Sequence, residues 1–201
     1  MNFKDCAWIH EDAKGVFFRD YMWFLSDEDN TIEKGSGAGT DFPNDRAIIF
    51  NGRWNFIVHV NDLDHLRVTC MTHYGDLLAN YRKLHLILNA FNQHKSLSMY
   101  STHPKYGYVN TWIADLGCAL TASVILSLDH TYDENPEAWI KTIESQFHVT
   151  TMRVQTIREK KTYMVYATGQ FGMTEKDKIE WVWNAALKLI EHEKELEAKH
   201  K

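Results

Sequence analysis

Apolar and polar positions along the chain change period several times, and each change marks an element. Early anchors at Val16-Phe17-Phe18 and Tyr21–Leu25 give way to a polar, acidic stretch, Ser26–Asn30, and then to Gly35-Ser36-Gly37-Ala38-Gly39. Residues 1–41 therefore read as an arm with a glycine-rich connector. Lys34–Gly39 fits neither phosphate-loop spacing, and no helical pattern follows it. From residue 46 the period is that of strands. Ala47–Phe50 is a short apolar run closed by the turn pair Asn51-Gly52. Trp54, Phe56, Val58 and Val60 alternate with Asn55, His59 and Asn61, which predicts one buried and one wetter face. Leu66, Val68 and Cys70 repeat the alternation.

Helical spacing follows Gly75. Leu77, Tyr81, Leu84, Leu88 and Phe91 share a stripe, with Asp76 placed as N-cap and an end near Asn92. Tyr106–Thr111 and Ala119–Leu128 read as strands. Asn135-Pro136 reads as an N-cap and first helical position of a helix ending near Gln146. Val149–Val154 and Tyr163–Ala167 are further strands, joined by the charged run Arg158–Lys161. Thr174-x-x-Asp177 resembles a capping box and opens a long helix carrying Ile179, Val182, Ala186, Leu189 and Ile190 on one face. Its end, Glu191–Lys201, is almost wholly polar. The order predicts an α+β fold with a largely antiparallel sheet flanked by helices, in residues 42–201.

Composition narrows the class. In 201 residues, 44% are hydrophobic and 13% aromatic, which excludes a disordered chain. A net charge of −5 and a pI near 6.1 give no electrostatic reason for nucleic acid or an anionic membrane as partner. Three dispersed cysteines form no C-x-x-C pair, so a reducing compartment is expected. The first residues resemble neither a signal nor a transit peptide, and no apolar run reaches the about 18 residues of a spanning helix. A soluble intracellular protein without membrane insertion is expected.

Eleven histidines invite a metal search, yet none has H-E-x-x-H or H-x₃₋₅-H spacing beside a second ligand set. His59 and His65 flank Asp62 and Asp64, but exposed polar residues at a strand turn are the commoner outcome of such a pattern. No nucleophile elbow is present. Trp181 and Trp183 on one helix cannot both face the core, which hints at a protein partner.

Several collinear motifs go further. Phe42–Asn51, F-P-N-D-R-A-I-I-F-N, resembles the W-P-T-G-R-G-I-x-H-N of phosphagen kinases, the creatine and arginine kinase family. Phe56–Met71, F-I-V-H-V-N-D-L-D-H-L-R-V-T-C-M, resembles F-L-V-W-V-N-E-E-D-H-L-R-I-I-S-M. Gly75-Asp76-Leu77 matches a G-D-L helix start, and Gly107–Leu128 tracks G-F-L-T-x-C-P-T-N-L-G-T-x-x-R-A-S-V. Gly172-Met173-Thr174-Glu175 resembles G-L-T-E. The resemblance implies the fold of that family's catalytic domain and phosphoryl transfer between ATP and a guanidino compound. It also implies that the family's N-terminal helical domain is absent.

The same resemblance places the departures. The arginine before A-S-V lands on Thr121, those of R-G-T-R on Met152 and Gln155, the reactive cysteine on Trp112, and the guanidine-holding glutamate on Leu63. The family's glutamate-bearing loop is replaced by Arg158–Lys161. Arg46, His65 and Arg67 remain as phosphate contacts. Because phosphoryl transfer rests on positive charge and alignment, and one arginine is worth ~10³–10⁵ in rate, these losses predict no catalytic residues, no metal and no bound cofactor. The expectation is a catalytically inactive pseudoenzyme serving as a structural subunit among other proteins of a large assembly. A ciliary axoneme is its expected place in a cytoplasmic or cytoskeletal setting, with a mitochondrial complex as second choice. The alternatives are a nucleotide sensor taking ATP or ADP with magnesium on Arg46, His65 and Arg67, or a guanidino phosphotransferase completed by a partner chain.

Overall fold

A computed structural model describes residues 2–5, 35, 44–51, 55–62, 64–72, 75–94, 100–111, 113–155, 161–167 and 172–200. The arm anchors Val16–Leu25 and all but Gly35 of the glycine-rich connector lie outside them. The chain divides into two units, one of residues 1–101 with 110–112, the other of 102–109 with 113–201.

In the first unit, β1 (Asn2–Asp5), β2 (Ala47–Phe50), β3 (Phe56–Val60) and β4 (Leu66–Cys70) form a four-stranded antiparallel sheet in that order. The register pairs Phe50 with Ile57, Ala47 with Val60, and Val60 with Leu66. Asn51 and Asn55 close the β2–β3 connection through their side chains, Nδ2 to Oδ1 at 2.6 Å. β3 begins at Phe56; Gly52–Trp54 lie outside the described residues. Ile57, Val58 and His59 are all buried, so β3 has no wet face, contrary to its alternating pattern. α1 (Leu77–Gln93) starts at the expected cap, the Asp76 carboxylate accepting from Ala79 N–H at 2.8 Å.

The second unit begins with a short hairpin, β5 (Thr102–His103) and β6 (Gly107–Tyr108), smaller than the strand read at Tyr106–Thr111. Tyr108 and Gly117 exchange backbone bonds of 2.8 and 3.2 Å. Gly107 sits at φ +72°, and a Cβ there would lie 2.5 Å from the Gly117 carbonyl oxygen, so the approach requires glycine. β7 (Ala122–Ser127), β8 (Thr150–Gln155) and β9 (Lys161–Ala167) form an antiparallel sheet in the order β7-β9-β8. Helices α2 (Asp129–Glu134), α3 (Glu137–Phe147) and α4 (Glu175–Lys199) complete the unit.

Asn135 is not the N-cap of α3. It ends α2 in the left-handed region, φ 46°, ψ 59°, a conformation asparagine tolerates, and Pro136 then caps α3. The polar sequence D-H-T-Y-D-E of α2 shows no apolar stripe, which hid the helix in the pattern. α4 opens with the expected capping box, Thr174 and Asp177 bonding reciprocally. Val182, Ala185, Ala186 and Leu189 are its buried stripe, and α4 packs on β7 and β9. Among the described residues no helix is long and apolar enough to cross a membrane.

The polar end of α4 is docked rather than free. Leu196 is buried, and Glu193 accepts from His130 N–H, Thr131 N–H and the Thr131 hydroxyl at 3.0, 2.8 and 2.7 Å. Burial acts to raise the Glu193 carboxyl, but the two backbone N–H groups and the hydroxyl outweigh it and hold it below its ordinary value of about 4.5. A depressed folded value means that the stabilisation is present above the unfolded value and lost as pH falls through the folded one. Glu193→Gln is therefore expected to cost about 1–2 kcal/mol at pH 7. In urea unfolding the gap between variant and parent should close as pH drops below about 4.5.

Candidate functional site

The three sequence-picked residues fall at one end of the first unit's sheet. Arg46 directly precedes β2, His65 directly precedes β4, and Arg67 lies within β4 opposite His59. Asn61, just after β3, joins them. It adopts φ 55°, donates from Nδ2 to the Asp45 carbonyl at 2.8 Å, and presents Oδ1 to His65 Nδ1 at 3.3 Å. That acceptor requires the proton on Nδ1, which leaves Nε2 for a further partner. The Asn61 N–H also donates to the His65 carbonyl at 3.0 Å, closing the β3–β4 turn.

The three side chains differ in reach. Arg46 is buried, and its Nη1 donates to the Asn44 carbonyl at 3.0 Å. His65 is exposed. The Arg67 side chain is 30% exposed, and its Nη1 lies 2.9 Å from Asp62 Oδ2, whose side chain is 1% exposed. Arg67 thus pairs with a buried carboxylate while its own side chain stays partly exposed. Asp64 is held separately, its Oδ1 accepting from Thr111 N–H at 2.8 Å.

Exposed polar residues at a strand turn describe His65 but not His59 or Asp62, both of which are buried. Asp62 figures in the sequence reading only as a possible metal ligand beside His59, His65 and Asp64, not as the partner of Arg67. Its signal lay in the motif already quoted, since it occupies the first acidic position of the N-E-E-D-H-like stretch. Among the described residues no three His, Cys, Asp or Glu side chains gather as a metal site.

The substituted positions fall in the second unit or outside the described residues. Thr121 is exposed, its hydroxyl 3.4 Å from Asp115 Oδ1, and Met152 is an exposed residue of β8. Gln155 ends β8. Leu63, Trp112 and Arg158–Lys160 lie outside. Lys161 pairs with Asp133, and Arg153 donates to the Tyr132 carbonyl at 3.0 Å while stacking over its ring.

Solved structures give the class. The fold matches lombricine kinase with a TM-score of 0.82 at 22% identity, over 98% of this chain and 55% of that one. It matches the duplicated taurocyamine kinase of Schistosoma mansoni at 0.78 and 24% identity, over 97% of this chain and 26% of that one. The fold is that of guanidino kinases. Residues 10–196 match the ATP:guanido phosphotransferase C-terminal catalytic domain, and the chain belongs to that family.

Curated relatives include an arginine kinase of Turbo cornutus, 28% identical over 87% of this chain and 48% of its own length. Another, of Haliotis madaka, is 35% identical over 52% of this chain and 29% of its own. The chain thus spans about half the length of the first of these, or less of the others. These findings overturn the expectation of a non-enzyme: the relatives are named arginine and taurocyamine kinases, which are enzymes. That expectation counted charges within this chain alone, whereas the relatives are longer proteins in which further charged groups have room to lie.

The Asn61 turn is open to a direct check. Asn61→Gly keeps the left-handed backbone and removes only the side-chain bonds. Asn61→Ala adds a backbone penalty of about 1 kcal/mol, and should be the less stable variant by that margin in urea unfolding.

Proposed function

We propose that this chain is the catalytic-domain part of an ATP:guanidino phosphotransferase that works together with another protein subunit. The carrying observation is Arg67, partly exposed in the D-H-L-R stretch and paired with a buried carboxylate, near in sequence to the exposed His65.

The chemistry asked of such a site is modest in kind. Phosphoryl transfer from ATP to a guanidine nitrogen passes through a state with charge spread over the phosphoryl oxygens, and positive groups in fixed positions stabilise it. Arg67 offers a guanidinium fork that suits phosphate oxygens, and His65 a ring N–H when protonated. Arg46, buried on the backbone ahead of β2, supports the turn and does not reach out to the ligand. Magnesium arrives with the nucleotide as part of the substrate. The uncharged side chains of Thr121 and Met152 leave the remaining phosphate charge, and the group that holds the guanidine, to be supplied by the other subunit.

Nucleotide binding is the direct test. In the full chain, Mg·ATP at about a hundred times its Kd should add about 2.7 kcal/mol of stability, a rise in Tm of about 5–10 °C. Arg67→Ala should abolish the rise, and Arg67→Lys should keep part of it. The complex isolated from native extract should transfer phosphate from ATP to arginine or taurocyamine. Absence of both the Tm rise and the transfer would sink the reading.

A further inference from the structure

We propose that Asn61 is a positioning residue of this site. It fixes the tautomer of His65, so that His65 bonds a phosphate oxygen of a nucleoside di- or triphosphate only as the imidazolium. The inference rests on the functional reading given above and adds the group that decides when His65 takes part.

The orientation of the Asn61 amide follows from its two contacts. Its Nδ2 lies 2.8 Å from the Asp45 carbonyl, which only accepts, so the amino end of the side chain faces Asp45. The amide oxygen is then the end that faces His65 Nδ1, at 3.3 Å. An oxygen that carries no hydrogen requires the ring proton on Nδ1. The backbone holds the two side chains across the turn. Asn61 is left-handed, at φ 55°, and its N–H donates to the His65 carbonyl at 3.0 Å. His65 is exposed, and Nε2 is the nitrogen that remains for a ligand.

This arrangement gives Nε2 two opposite characters. In the neutral ring the single proton is held toward Asn61, and Nε2 carries a lone pair that repels a phosphate oxygen. In the imidazolium Nε2 gains an N–H and a share of positive charge, and bonds the same oxygen with charge assistance. A histidine free to exchange tautomers could donate from Nε2 in both states. Asn61 removes that option and makes the contact depend on protonation. The charged and titratable groups around the turn are Asp45, Arg46, Asp62, Asp64 and Arg67, with His59 on β3 opposite Arg67. Asp62 pairs with Arg67 and Asp64 accepts from the Thr111 N–H, while the His65 ring donates to Asn61.

The test takes two measurements on the full chain. In the ¹⁵N NMR spectrum the neutral His65 ring, assigned by its loss in His65→Gln, should carry its proton on Nδ1. Asn61→Gly keeps the left-handed backbone, and its His65 ring should move toward the Nε2–H form. Asn61→Asp keeps an acceptor oxygen and should hold the Nδ1–H form. Calorimetric titration with Mg·ATP at about pH 5.5 and about pH 8.5, on either side of the histidine range, gives the second measurement. Affinity should fall about tenfold more in the unaltered chain than in His65→Gln, the worth of one hydrogen bond to a charged group. The comparison with His65→Gln removes the titration of the nucleotide and of the other groups at the turn. In Asn61→Gly the extra fall should shrink to about threefold, since a neutral N–H bond keeps about half the strength of a charged one. An Nε2–H ring in the unaltered chain overturns the proposal, and so does an unchanged tautomer and pH dependence in Asn61→Gly. An affinity that falls no more than that of His65→Gln overturns it while leaving nucleotide binding in place. No Mg·ATP binding at either pH overturns both the proposal and the functional reading.

Discussion

The burial of β3 on both faces is the constraint on which the candidate site depends. Ile57, Val58 and His59 are each 2% exposed or less, and β3 is paired on one edge with β2 and on the other with β4. A strand with one wet face is held in register by its alternating pattern, because a one-residue slip turns the apolar set outward. β3 lacks that safeguard. Its register is pinned instead at its end, where Asn61 leaves the strand in a left-handed conformation and bonds to the Asp45 carbonyl and the His65 backbone. The residues that fix the strand are thus the ones that gather Arg46, His65 and Arg67, so register and site share one device.

That sharing explains what could be read in advance. Caps were legible because their chemistry is local: Asp76 and the Thr174–Asp177 box satisfy N–H groups within three residues. The antiparallel plan was legible from period and turn residues. His59 was misread because alternation reports polarity, not burial, and a histidine inside a sheet closed on both faces looks the same in sequence as one on a wet face. Asn135 was misread because asparagine serves both helix ends, as N-cap and as a left-handed C-cap, and α2 before it lacks an apolar stripe. Of the site, Arg46, His65 and Arg67 were visible as motif positions. Asp62 was weighed only as a metal ligand, since its burial and its pairing with Arg67 are tertiary facts.

The second unit shows the same limit in a longer-range form. The end of α4 reads as a solvated polar tail, yet Glu193 seals the start of α2 from sixty-two residues away in sequence, bonding Thr131 through both backbone and hydroxyl. Lys178 is likewise a polar residue with an interior position, 1% exposed, with its amine on the Leu120 carbonyl at 2.8 Å. Both sit on the helix face that the apolar stripe identifies, and both find backbone partners outside the helix. A polar residue on a buried stripe is costly unless such a partner exists, and the partner cannot be seen from the helix sequence alone.

The distribution of cations bears on how the chain would carry out its chemistry. In the second unit Arg153 is engaged on Tyr132, Lys161 on Asp133 and Lys178 on Leu120, while Thr121 and Met152 stand at exposed positions of β7's entry and β8. These cations serve the fold, and moving one toward a phosphate would cost it a partner in the native structure. Arg67 is likewise paired, with Asp62, and its side chain is 30% exposed. Catalytic groups act as a unit, so the contribution of one arginine has meaning only with its companions in place. A tally of arginines inside one chain therefore does not decide whether transfer occurs. In the reading proposed above, Arg67 is part of this chain's share of the positive field, and that reading assigns the guanidine-holding group to a companion subunit.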